Sequence, residues 1–370
     1  MKILYVVSTL KRSGPSNQLL NLATVVKAQN HEIVVLTQSP ESKDSLLDEF
    51  ARRGIAVRSL HLTRWQWLFS GKRSLAAIMN AFGPDVVHTQ GIRADVIAAK
   101  QQLGRNVVAT LRNVPFEDYV SRYGRIRGRI MAYIHLSALR RVKCVVLVSL
   151  AASRKLASQL PEAIIVPNGV DTRAFHPPSK EERAEAREAL DLPPEAFVLI
   201  STGHLSALKD PITVVEAFER ATTSLNARLL IVGDGPLRSE CEAAAGARVI
   251  FTGRQSDVRP YLRASDAFMS ASTTEGMPNA LMEALATGLP VCVSDIPPHR
   301  ELLAPAQNAG EHFPVGNIEQ AAAAICRIWE RDHSTKVTAS RYIAECFSAD
   351  ACAGNYIALY QKMLEAHASV

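Results

Sequence analysis

Short runs of apolar, mostly β-branched residues alternate with longer amphipathic segments along the whole chain. The runs are KILYVV, HEIVVLT, DVVHT, NVVAT and CVVLVS in the first half, and FVLIST, RLLIVGD, RVIFTG, DAFMSAS and PVCVSD in the second. Continuously apolar strands separated by helices are typical of a parallel sheet that is covered on both faces. Because the series occurs twice, the pattern predicts an α/β protein with two doubly wound, Rossmann-like domains facing a central cleft.

The segment VPNGVDTRAFHPP divides the two series, and its three prolines interrupt regular structure. We therefore predict an N-terminal domain over residues 1–167 and a C-terminal domain over residues 168–345. A last helix over 346–370 is expected to return to the N-terminal domain. Ligands of doubly wound sheets bind outside the carboxyl ends of the strands, so the loops that follow the strands are the expected location of a site.

Composition narrows the class of protein. The 42 Lys and Arg residues against 36 Asp and Glu give a net charge of +6, which fits anionic small molecules, anionic lipid or nucleic acid without choosing between them. No CxxC pair occurs, so we expect reduced cysteines, without disulfides or a zinc site. MKILYVV reads as a buried first strand rather than a signal peptide, and no long apolar run occurs. We expect a cytoplasmic protein, with peripheral contact to the inner face of the membrane left open.

The first loop after a strand, STLKRSGPSNQ, contains Gly14 and leads into a helix that is expected to begin near Ser16 or Asn17. A glycine lets the backbone approach a ligand closely, and the free N–H groups of a helix start suit anions. An ordinary turn capped by Ser16 explains the same residues equally well. Neither GxGxxG nor GxxxxGK[ST] occurs, so a dinucleotide fingerprint and a Walker loop are both absent from the sequence.

The stretch SRYGRIRGRIMAYIHLSALRRVK at 121–143 combines basic and apolar residues at helical spacing. Such a helix could lie on an anionic membrane surface or receive a lipid-linked molecule. It could equally be an ordinary core-facing helix with a basic solvent side. In RWQWLF, the side chains of Trp65, Trp67, Leu68 and Phe69 lie close together in sequence, either as an interfacial patch or as part of the core.

Stronger signals follow in the second half. Lys209, in STGHLSALKDP, follows a strand and precedes a helix opened by Asp210 and Pro211. An ammonium at that place adds to the positive helix terminus and suits phosphate oxygens, although a lone lysine is more often a surface residue. What favours the phosphate site is the series of motifs that follows in order downstream.

The stretch EGMPNALMEALATGLPV at 275–291 carries two glutamates around a predicted helix start. Pro278 and Asn279 suit the first turn, which leaves N–H groups free at the helix mouth. The ATGLP ending is helix-stop chemistry, with its glycine as the C-terminal cap. A capped amphipathic helix explains Glu283 by itself, but it does not explain Glu275 in the preceding loop.

In this order, VPNGVDTRAF, GHLSALKDP, IVGDGP, FTGRQSDV and TEGMPNALMEALATGLPV resemble the motifs of the family 4 glycosyltransferases, of GT-B fold, and the resemblance spans nearly the whole chain. It implies a retaining glycosyltransferase, of hexosyltransferase type. The sugar would move from a nucleotide-diphosphate donor to a glycan or lipid-linked acceptor, in cell-surface polysaccharide or lipopolysaccharide synthesis. A sugar-nucleotide epimerase or hydrolase of the same fold is the alternative.

The resemblance also implies roles for single residues. Glu275 and Glu283 match the family's E-x7-E pair, in which Glu275 would face the sugar and Glu283 would accept hydrogen bonds from the ribose hydroxyls. The N–H groups at the helix mouth would hold the diphosphate. Catalytic roles are expected for Glu275, Lys209 and Arg112. The expected donor-binding residues are Gly14, His204, Lys209, Gly233, Arg254, Glu275, Gly276, Pro278, Asn279, Ala280, Leu281 and Glu283.

Two positions depart from the family pattern. His204 stands where the family usually has an arginine beside the phosphate, so Lys209 and the helix terminus are expected to carry more of the leaving-group stabilisation. At the strand end VVATLRNV the family often has a histidine, and this chain offers Arg112 and Asn113. His88, at another strand end, either faces the cleft or packs beneath the loop. His88 and Asn113 are the acceptor-side candidates.

No D-x-D triplet occurs, so we expect a metal-independent reaction in which Lys209, His204 and backbone donors neutralise the leaving group. Neither a metal site nor a cofactor is expected; the nucleotide sugar is a co-substrate. The excess of basic residues is also compatible with a nucleic-acid-binding protein. The helical spacing of the apolar residues among the arginines disfavours that function, because it does not present exposed aromatic and basic residues together on one face. The expected partners are a nucleotide sugar donor and a glycan or lipid-linked acceptor, with an anionic membrane surface left open and no nucleic acid.

Overall fold

The computed structural model describes residues 1–101, 106–222, 226–330 and 336–368. The chain forms two compact units, of which the first contains Met1–Gly169 with Ala349–Val370 and the second contains Val170–Ser348. Among the described residues, no helix is both long and apolar enough to cross a membrane.

The first unit contains, in the described part of the chain, a seven-stranded parallel sheet with the order β3-β2-β1-β4-β5-β6-β7. Its strands are β1 Lys2–Val7, β2 Glu32–Thr37, β3 Ala56–Ser59, β4 Val86–Gln90, β5 Val107–Leu111, β6 Cys144–Leu147 and β7 Ile164–Ile165. Its first seven helices are α1 Gly14–Ala28, α2 Leu47–Arg52, α3 Arg64–Phe82, α4 Ile92–Gln101, α5 Pro115–Tyr123, α6 Arg125–Leu139 and α7 Leu150–Leu156. The strand order reverses between β1 and β4, so their carboxyl ends border the place where ligands bind in such sheets.

The second unit contains, among its described residues, a six-stranded parallel sheet with the order β10-β9-β8-β11-β12-β13. Its strands are β8 Phe197–Thr202, β9 Ala227–Val232, β10 Val249–Gly253, β11 Ala267–Ser270, β12 Val291–Ser294 and β13 Gly310–Phe313. Its helices are α8 Lys180–Ala189, α9 Pro211–Ala221, α10 Arg238–Ala244, α11 Arg259–Ala264, α12 Asn279–Ala286, α13 Pro297–Leu303, α14 Ile318–Trp329 and α15 Lys336–Cys346, with a 3-10 turn at Ala304–Ala309. The last helix of the chain, α16 Ala349–Ala368, belongs to the first unit. In the second sheet the order reverses between β8 and β11.

The predicted fold class is confirmed, because each of the ten apolar runs forms a strand in one of two parallel sheets. The strands β5 and β12 are buried at every position, which is why their sequences are apolar apart from small polar residues; β4 is equally buried but also carries His88 and Gln90. Three strands are missing from the prediction: β3, β7 and β13. All three are edge strands with at least one exposed or half-buried side, so short sequences such as AVRS and GEHF suffice to form them.

Helix α16 is joined to the first unit through a fully buried polar cluster around His88. Its Nδ1 lies 2.6 Å from the Tyr360 hydroxyl, and its Nε2 lies 2.7 Å from Thr110 Oγ1. Thr110 Oγ1 lies in turn 2.9 Å from the Tyr356 hydroxyl. Burial lowers the pKa of His88 to about 3, so the ring is neutral and both nitrogens are used inside the core. This is the placement expected of a histidine packed beneath the loop, not of one that faces a ligand.

Helices α5 and α6 pack closely and present an unusual outer face. A Cβ atom at Gly128 would lie 2.5 Å from the Tyr119 carbonyl oxygen, so only glycine permits this contact. On the solvent side, five of the ten exposed large hydrophobic side chains among the described residues lie in this pair, at Tyr123, Ile126, Ile130, Tyr133 and Ile134. The exposed face is therefore apolar as well as basic, contrary to the simple picture of a solvated basic side.

The aromatic patch predicted from RWQWLF falls in α3. The side chains of Trp65, Trp67, Leu68 and Phe69 lie outside the described part of the structure. That prediction therefore stays a prediction.

Candidate active site

Two glycine-containing loops lie against each other at the carboxyl ends of β8 and β9. Gly233 has a φ of +155°, and a Cβ atom there would lie 1.8 Å from the carbonyl oxygen of Gly203. The Leu205 N–H donates to the Asp234 carbonyl at 3.1 Å, and His204 Nδ1 donates to the same oxygen at 2.7 Å. Gly233 thus serves to bring the two loops into backbone contact.

Lys209 and Glu275 form an ion pair at the carboxyl edge of the second sheet. Lys209 lies just before α9, where the Asp210 carboxylate caps the helix and accepts from the Thr213 hydroxyl at 2.6 Å. Lys209 Nζ donates to Glu275 Oε1, and Ser272 Oγ donates to the same oxygen at 2.8 Å. The Glu275 side chain is 11% exposed and that of Lys209 is 35% exposed. The carboxylate is nearly enclosed, while the ammonium still reaches solvent.

Burial raises the pKa of Glu275, but the Lys209 ammonium and the hydrogen bond from Ser272 outweigh it, and the net pKa lies below the usual value. The carboxylate is therefore ionised at neutral pH. Since one of its oxygens is already held by two donors, Glu275 has a fixed orientation. The remaining oxygen is left to accept hydrogen bonds from a ligand.

A buried layer supports Glu275 from behind. Ser294 Oγ donates to the Ser272 carbonyl at 2.5 Å, and His299 Nδ1 donates to the Ser294 carbonyl at 2.8 Å. Burial lowers the pKa of His299 to about 4, so the ring is neutral at pH 7. The sequence motifs do not predict these supporting residues. The available signal is that Ser294 lies near the end of the apolar run PVCVSD and is the last residue of β12, which places it at the same sheet edge as Lys209.

Helix α12 begins where the sequence predicts, with Pro278 as the N-cap residue and Asn279 as the first helical residue. The Met282 N–H donates to the Pro278 carbonyl at 3.1 Å. Before it, the N–H groups of Ala280 and Leu281 meet no acceptor among the described residues. At the other end Gly288 has a φ of +80°, as the ATGLP ending predicts. The first turn of α12 therefore offers free donors at the positive end of the helix.

Glu283 lies one turn into α12, and its side chain is partly buried. No described group donates a hydrogen bond to its carboxyl oxygens. Burial alone raises its pKa to about 7. Glu283 is thus the opposite of Glu275: one carboxyl group is partnered and ionised, and the other is unpartnered and half protonated at neutral pH.

A small cavity lies between the β8 loop and α12. It brings together six of the predicted donor residues, which are His204, Lys209, Glu275, Pro278, Ala280 and Leu281. Ser201, Thr202, Ser270 and Ser272 also contribute polar groups to its wall, and none of them is among the predicted site residues. The other predicted residues of the second unit do not line it: Gly233, Arg254, Gly276, Asn279 and Glu283.

The predicted site residues of the first unit begin with Gly14. Helix α1 starts at Gly14 with Ser13 as the N-cap residue, so it begins earlier than predicted because Pro15 suits the first turn. Ser16 Oγ donates to the Lys11 carbonyl at 2.8 Å and does not cap the helix, so the predicted Ser16 cap is wrong. Gly14 itself is exposed at the carboxyl edge of the first sheet.

Arg112 and Asn113 directly follow β5, at the same sheet edge. Arg112 Nε donates to Gln90 Oε1 at 3.1 Å, and its Nη1 donates to Asn168 Oδ1 at 2.5 Å. Asn113 is partly exposed beside it. Neither Gln90, which ends β4, nor Asn168 is among the predicted site residues, although Asn168 lies within the motif VPNGVDTRAF. Their signal is position alone, since each lies at or just beyond a strand end.

Two family models match the chain. Residues 12–174 match the model described as Glycosyltransferase Family 4, and residues 196–331 match the model described as Glycosyl transferases group 1. The first match covers most of the first unit and the second covers most of the second unit. The chain belongs to the family 4 glycosyltransferases, and its two doubly wound sheets are those of the GT-B fold.

Similar proteins agree with this class. The chain is 26% identical over 350 residues to the alpha-monoglucosyldiacylglycerol synthase of Streptococcus pneumoniae, covering 88% of this chain and 78% of that protein. It is 24% identical over 313 residues to the O-antigen biosynthesis glycosyltransferase WclY of Escherichia coli, covering 82% of each. The crystal structure of Anabaena HepE in complex with UDP-glucose matches with a TM-score of 0.82 at 18% identity, covering 100% of both chains. None of these three is named an epimerase or a hydrolase.

The raised pKa of Glu283 predicts a pH-dependent stability. The carboxyl group has a pKa of about 7 in the folded protein, against an ordinary value of 4.5. It therefore keeps its proton to a higher pH in the folded protein than in the unfolded chain. Its contribution to the free energy of unfolding is therefore fully present below pH 4.5 and is lost as the pH rises to 7. Glu283→Gln should stabilise the protein at pH 8 by about 1–2 kcal/mol and have little effect at pH 4.5.

Urea unfolding at both pH values measures this difference. Glu188→Gln, on the exposed side of α8, is the matched control and should change stability equally at pH 4.5 and pH 8. Equal effects of Glu283→Gln at the two pH values would contradict the prediction.

Proposed function

We propose that this glycosyltransferase moves a hexose, with retention of anomeric configuration, from a nucleotide-diphosphate sugar to a glycan or lipid-linked acceptor. The proposed context is the synthesis of cell-surface polysaccharide or lipopolysaccharide. The observation that carries the proposal is the Lys209–Glu275 ion pair beside the open first turn of α12. The relatives named for glycolipid and O-antigen synthesis support the acceptor class, and the UDP-glucose complex supports the donor class.

The donor diphosphate fits the first turn of α12. The free N–H groups of Ala280 and Leu281 point out of a positive helix end, which is a natural anion site. Lys209 adds a full charge, because its ammonium is still partly exposed. His204 contributes less, since its Nδ1 donates to a backbone carbonyl and its Nε2 is then an acceptor unless the ring is protonated.

Charge moves in a defined direction during the proposed reaction. The bond between the anomeric carbon and the diphosphate oxygen breaks, and the leaving oxygen takes the electron pair. The acceptor hydroxyl oxygen forms the new bond to the anomeric carbon on the same face, and its proton passes to the leaving diphosphate oxygen. Lys209 is shared between Glu275 and the diphosphate, so its ammonium can follow the new negative charge. Glu275 remains held by Ser272 and accepts hydrogen bonds from the sugar hydroxyls. Glu283, with an unpartnered carboxyl group, is the proposed acceptor for the ribose diol.

Removal of the Lys209 ammonium should slow sugar transfer. In Lys209→Ala the leaving diphosphate loses one charged donor, and Glu275 loses its counter-charge, so transfer should fall by roughly two orders of magnitude. Thermal stabilisation by nucleotide sugars, with UDP-glucose first, identifies the donor. Release of nucleoside diphosphate in the presence of membrane-lipid acceptors then measures the rate.

Lys180→Ala is the matched control, because Lys180 is exposed on α8 of the same unit. It should transfer sugar like the wild type. Unchanged transfer in Lys209→Ala would contradict the proposed role of Lys209 in stabilising the leaving diphosphate.

Metal independence is part of the proposal. The sequence contains no D-x-D triplet, and the described residues contain no group of three His, Cys, Asp or Glu side chains arranged to hold a metal ion. Lys209 and the α12 donors supply the charge that a divalent ion supplies elsewhere. Transfer should therefore continue at the same rate after dialysis against EDTA. A loss of activity that magnesium or manganese restores would overturn this part of the proposal.

The outer face of α5 and α6 is the proposed membrane-contact surface. Ile126 is 80% exposed and Tyr133 is 66% exposed, and no other part of the described chain concentrates so many exposed large hydrophobic side chains. Arg125 and Arg129 line a groove with Tyr133 between the two helices. Exposed isoleucines with flanking arginines fit the boundary of an anionic bilayer, where a lipid-linked acceptor would be presented.

The purified protein should co-sediment with vesicles that contain anionic lipid, much less with neutral vesicles, and added salt should release it. Each arginine near such a surface contributes about 1 kcal/mol, so replacing Arg125, Arg127 and Arg129 together by Gln should weaken binding about a hundredfold. Transfer to a short soluble acceptor should change little, since the donor residues lie in the second unit.

Three exposed arginines at the β3 edge of the first sheet provide a control with the same change of charge: Arg52, Arg53 and Arg58. Their replacement by Gln should leave vesicle binding nearly unchanged. Equal sedimentation with neutral and anionic vesicles, or none with either, would contradict the proposal. Helix α6 would then be an ordinary helix with a solvated basic side.

A further inference from the structure

Arg112 carries a charge that the described part of the protein does not balance. Its two hydrogen-bond partners, Gln90 and Asn168, are both neutral amides. No carboxylate forms an ion pair with it among the described residues, and its hydrogen bonds there use only Nε and Nη1, which leaves Nη2 without a partner. Lys209, by contrast, is neutralised by Glu275. A partly buried guanidinium without a counter-charge is costly and needs a reason.

The surroundings of Arg112 do not supply the missing charge. The ionisable side chains that face it are His88, Tyr356, Tyr360 and Cys352. Burial raises the pKa of each phenol and of the thiol, and it lowers the pKa of His88, so all four are neutral at pH 7. The same burial lowers the pKa of Arg112, which nevertheless stays protonated.

Gln90 adds a second unsatisfied donor at the same place. The residue is 8% exposed, and its Nε2 has no hydrogen-bond partner among the described residues. Its Oε1 accepts from Arg112 Nε at 3.1 Å, so the free amide N–H groups lie next to the guanidinium. A buried amide donor that is left unpaired is as costly as a lost hydrogen bond. Both residues end or follow central strands at the carboxyl edge of the first sheet, where ligands bind.

We propose that Arg112 and Gln90 bind an anionic oxygen group, a phosphate or a carboxylate, that is carried by the acceptor. The inference rests on the proposed transferase function and names the chemical class of its acceptor. The planar guanidinium offers free N–H donors in a fork, and the Gln90 amide adds a further donor. Uncharged hydroxyl groups would satisfy these hydrogen bonds, but they would leave the charge of Arg112 unbalanced. The chain then holds two anion sites, one for the donor diphosphate in the second unit and one for the acceptor in the first.

Nitrogen-15 NMR of the arginine side chains can test binding without knowledge of the acceptor. The Nε–H signal of Arg112 is assigned by its absence in Arg112→Lys. Titration with inorganic phosphate should move this signal, while sodium chloride at equal ionic strength should not. Acetate in a parallel titration distinguishes the sources: a shift with both anions means that the site accepts carboxylates, and a shift with phosphate alone restricts it to phosphates.

Gln90→Glu is the decisive variant. A glutamate at 90 can still accept from Arg112 Nε, so the local contact is kept, but it neutralises the guanidinium and removes the amide donor. Phosphate affinity should therefore fall by about tenfold or more, with no loss of thermal stability. Arg154→Gln, at an exposed position of α7, is the control and should bind phosphate at Arg112 like the wild type.

Two results would overturn the inference: an Arg112 signal that neither phosphate nor acetate moves, or phosphate affinity unchanged in Gln90→Glu. These outcomes are separable from failure of the proposed function. If the protein binds nucleotide sugars but neither anion moves the Arg112 signal, only the proposed acceptor site is wrong. If Arg112 binds anions but the protein binds no nucleotide sugar, the proposed transferase function is wrong. The anion could then not be assigned to an acceptor.

Discussion

A nearly enclosed carboxylate needs a counter-charge, and the second unit meets this constraint by bringing Lys209 to Glu275. The two residues come from different loops, and both loops are fixed by other contacts: the Thr273 N–H donates to the Leu208 carbonyl at 2.9 Å, and Ser272 is held by Ser294. The ion pair thus depends on the parallel sheet, which places successive loops at one edge. It also places a partly exposed positive charge next to the open end of α12.

The two units treat their buried charges differently. In the second unit, Glu275 and Lys209 neutralise each other, and the raised pKa of Glu283 limits its unpaired charge, because the carboxyl group keeps its proton until the pH approaches 7. In the first unit, His88 is neutral with both nitrogens satisfied, but Arg112 stays charged among amides. Since unbalanced charges are rare inside proteins, the exceptions mark the places where a ligand completes the electrostatics.

Sequence patterns predict the fold well and the site in part, for physical reasons. Central strands are buried on both faces and are therefore mostly apolar, so the nine central strands of the described chain all appear in the sequence, together with the edge strand β10. The edge strands β3, β7 and β13 are not predicted, because they need little burial. Helix α12 is predictable because its proline start and glycine stop are local chemistry. The Lys209–Glu275 contact, the supporting Ser272 and His299, and the isolation of Arg112 are long-range facts. No local pattern records which residue lies opposite another across a sheet edge.

The return of α16 to the first unit has a consequence for how the protein is made. Tyr356 and Tyr360 complete a core whose other members were synthesised more than two hundred residues earlier, as with His88 and Thr110. During synthesis on the ribosome, the core of the first unit therefore stays incomplete until α16 has been made. The second unit is continuous in sequence and can fold as soon as it emerges. A chain that terminates early would lack the part that closes its first-made half, so incomplete products would be recognisable to quality-control proteases by exposed core surface.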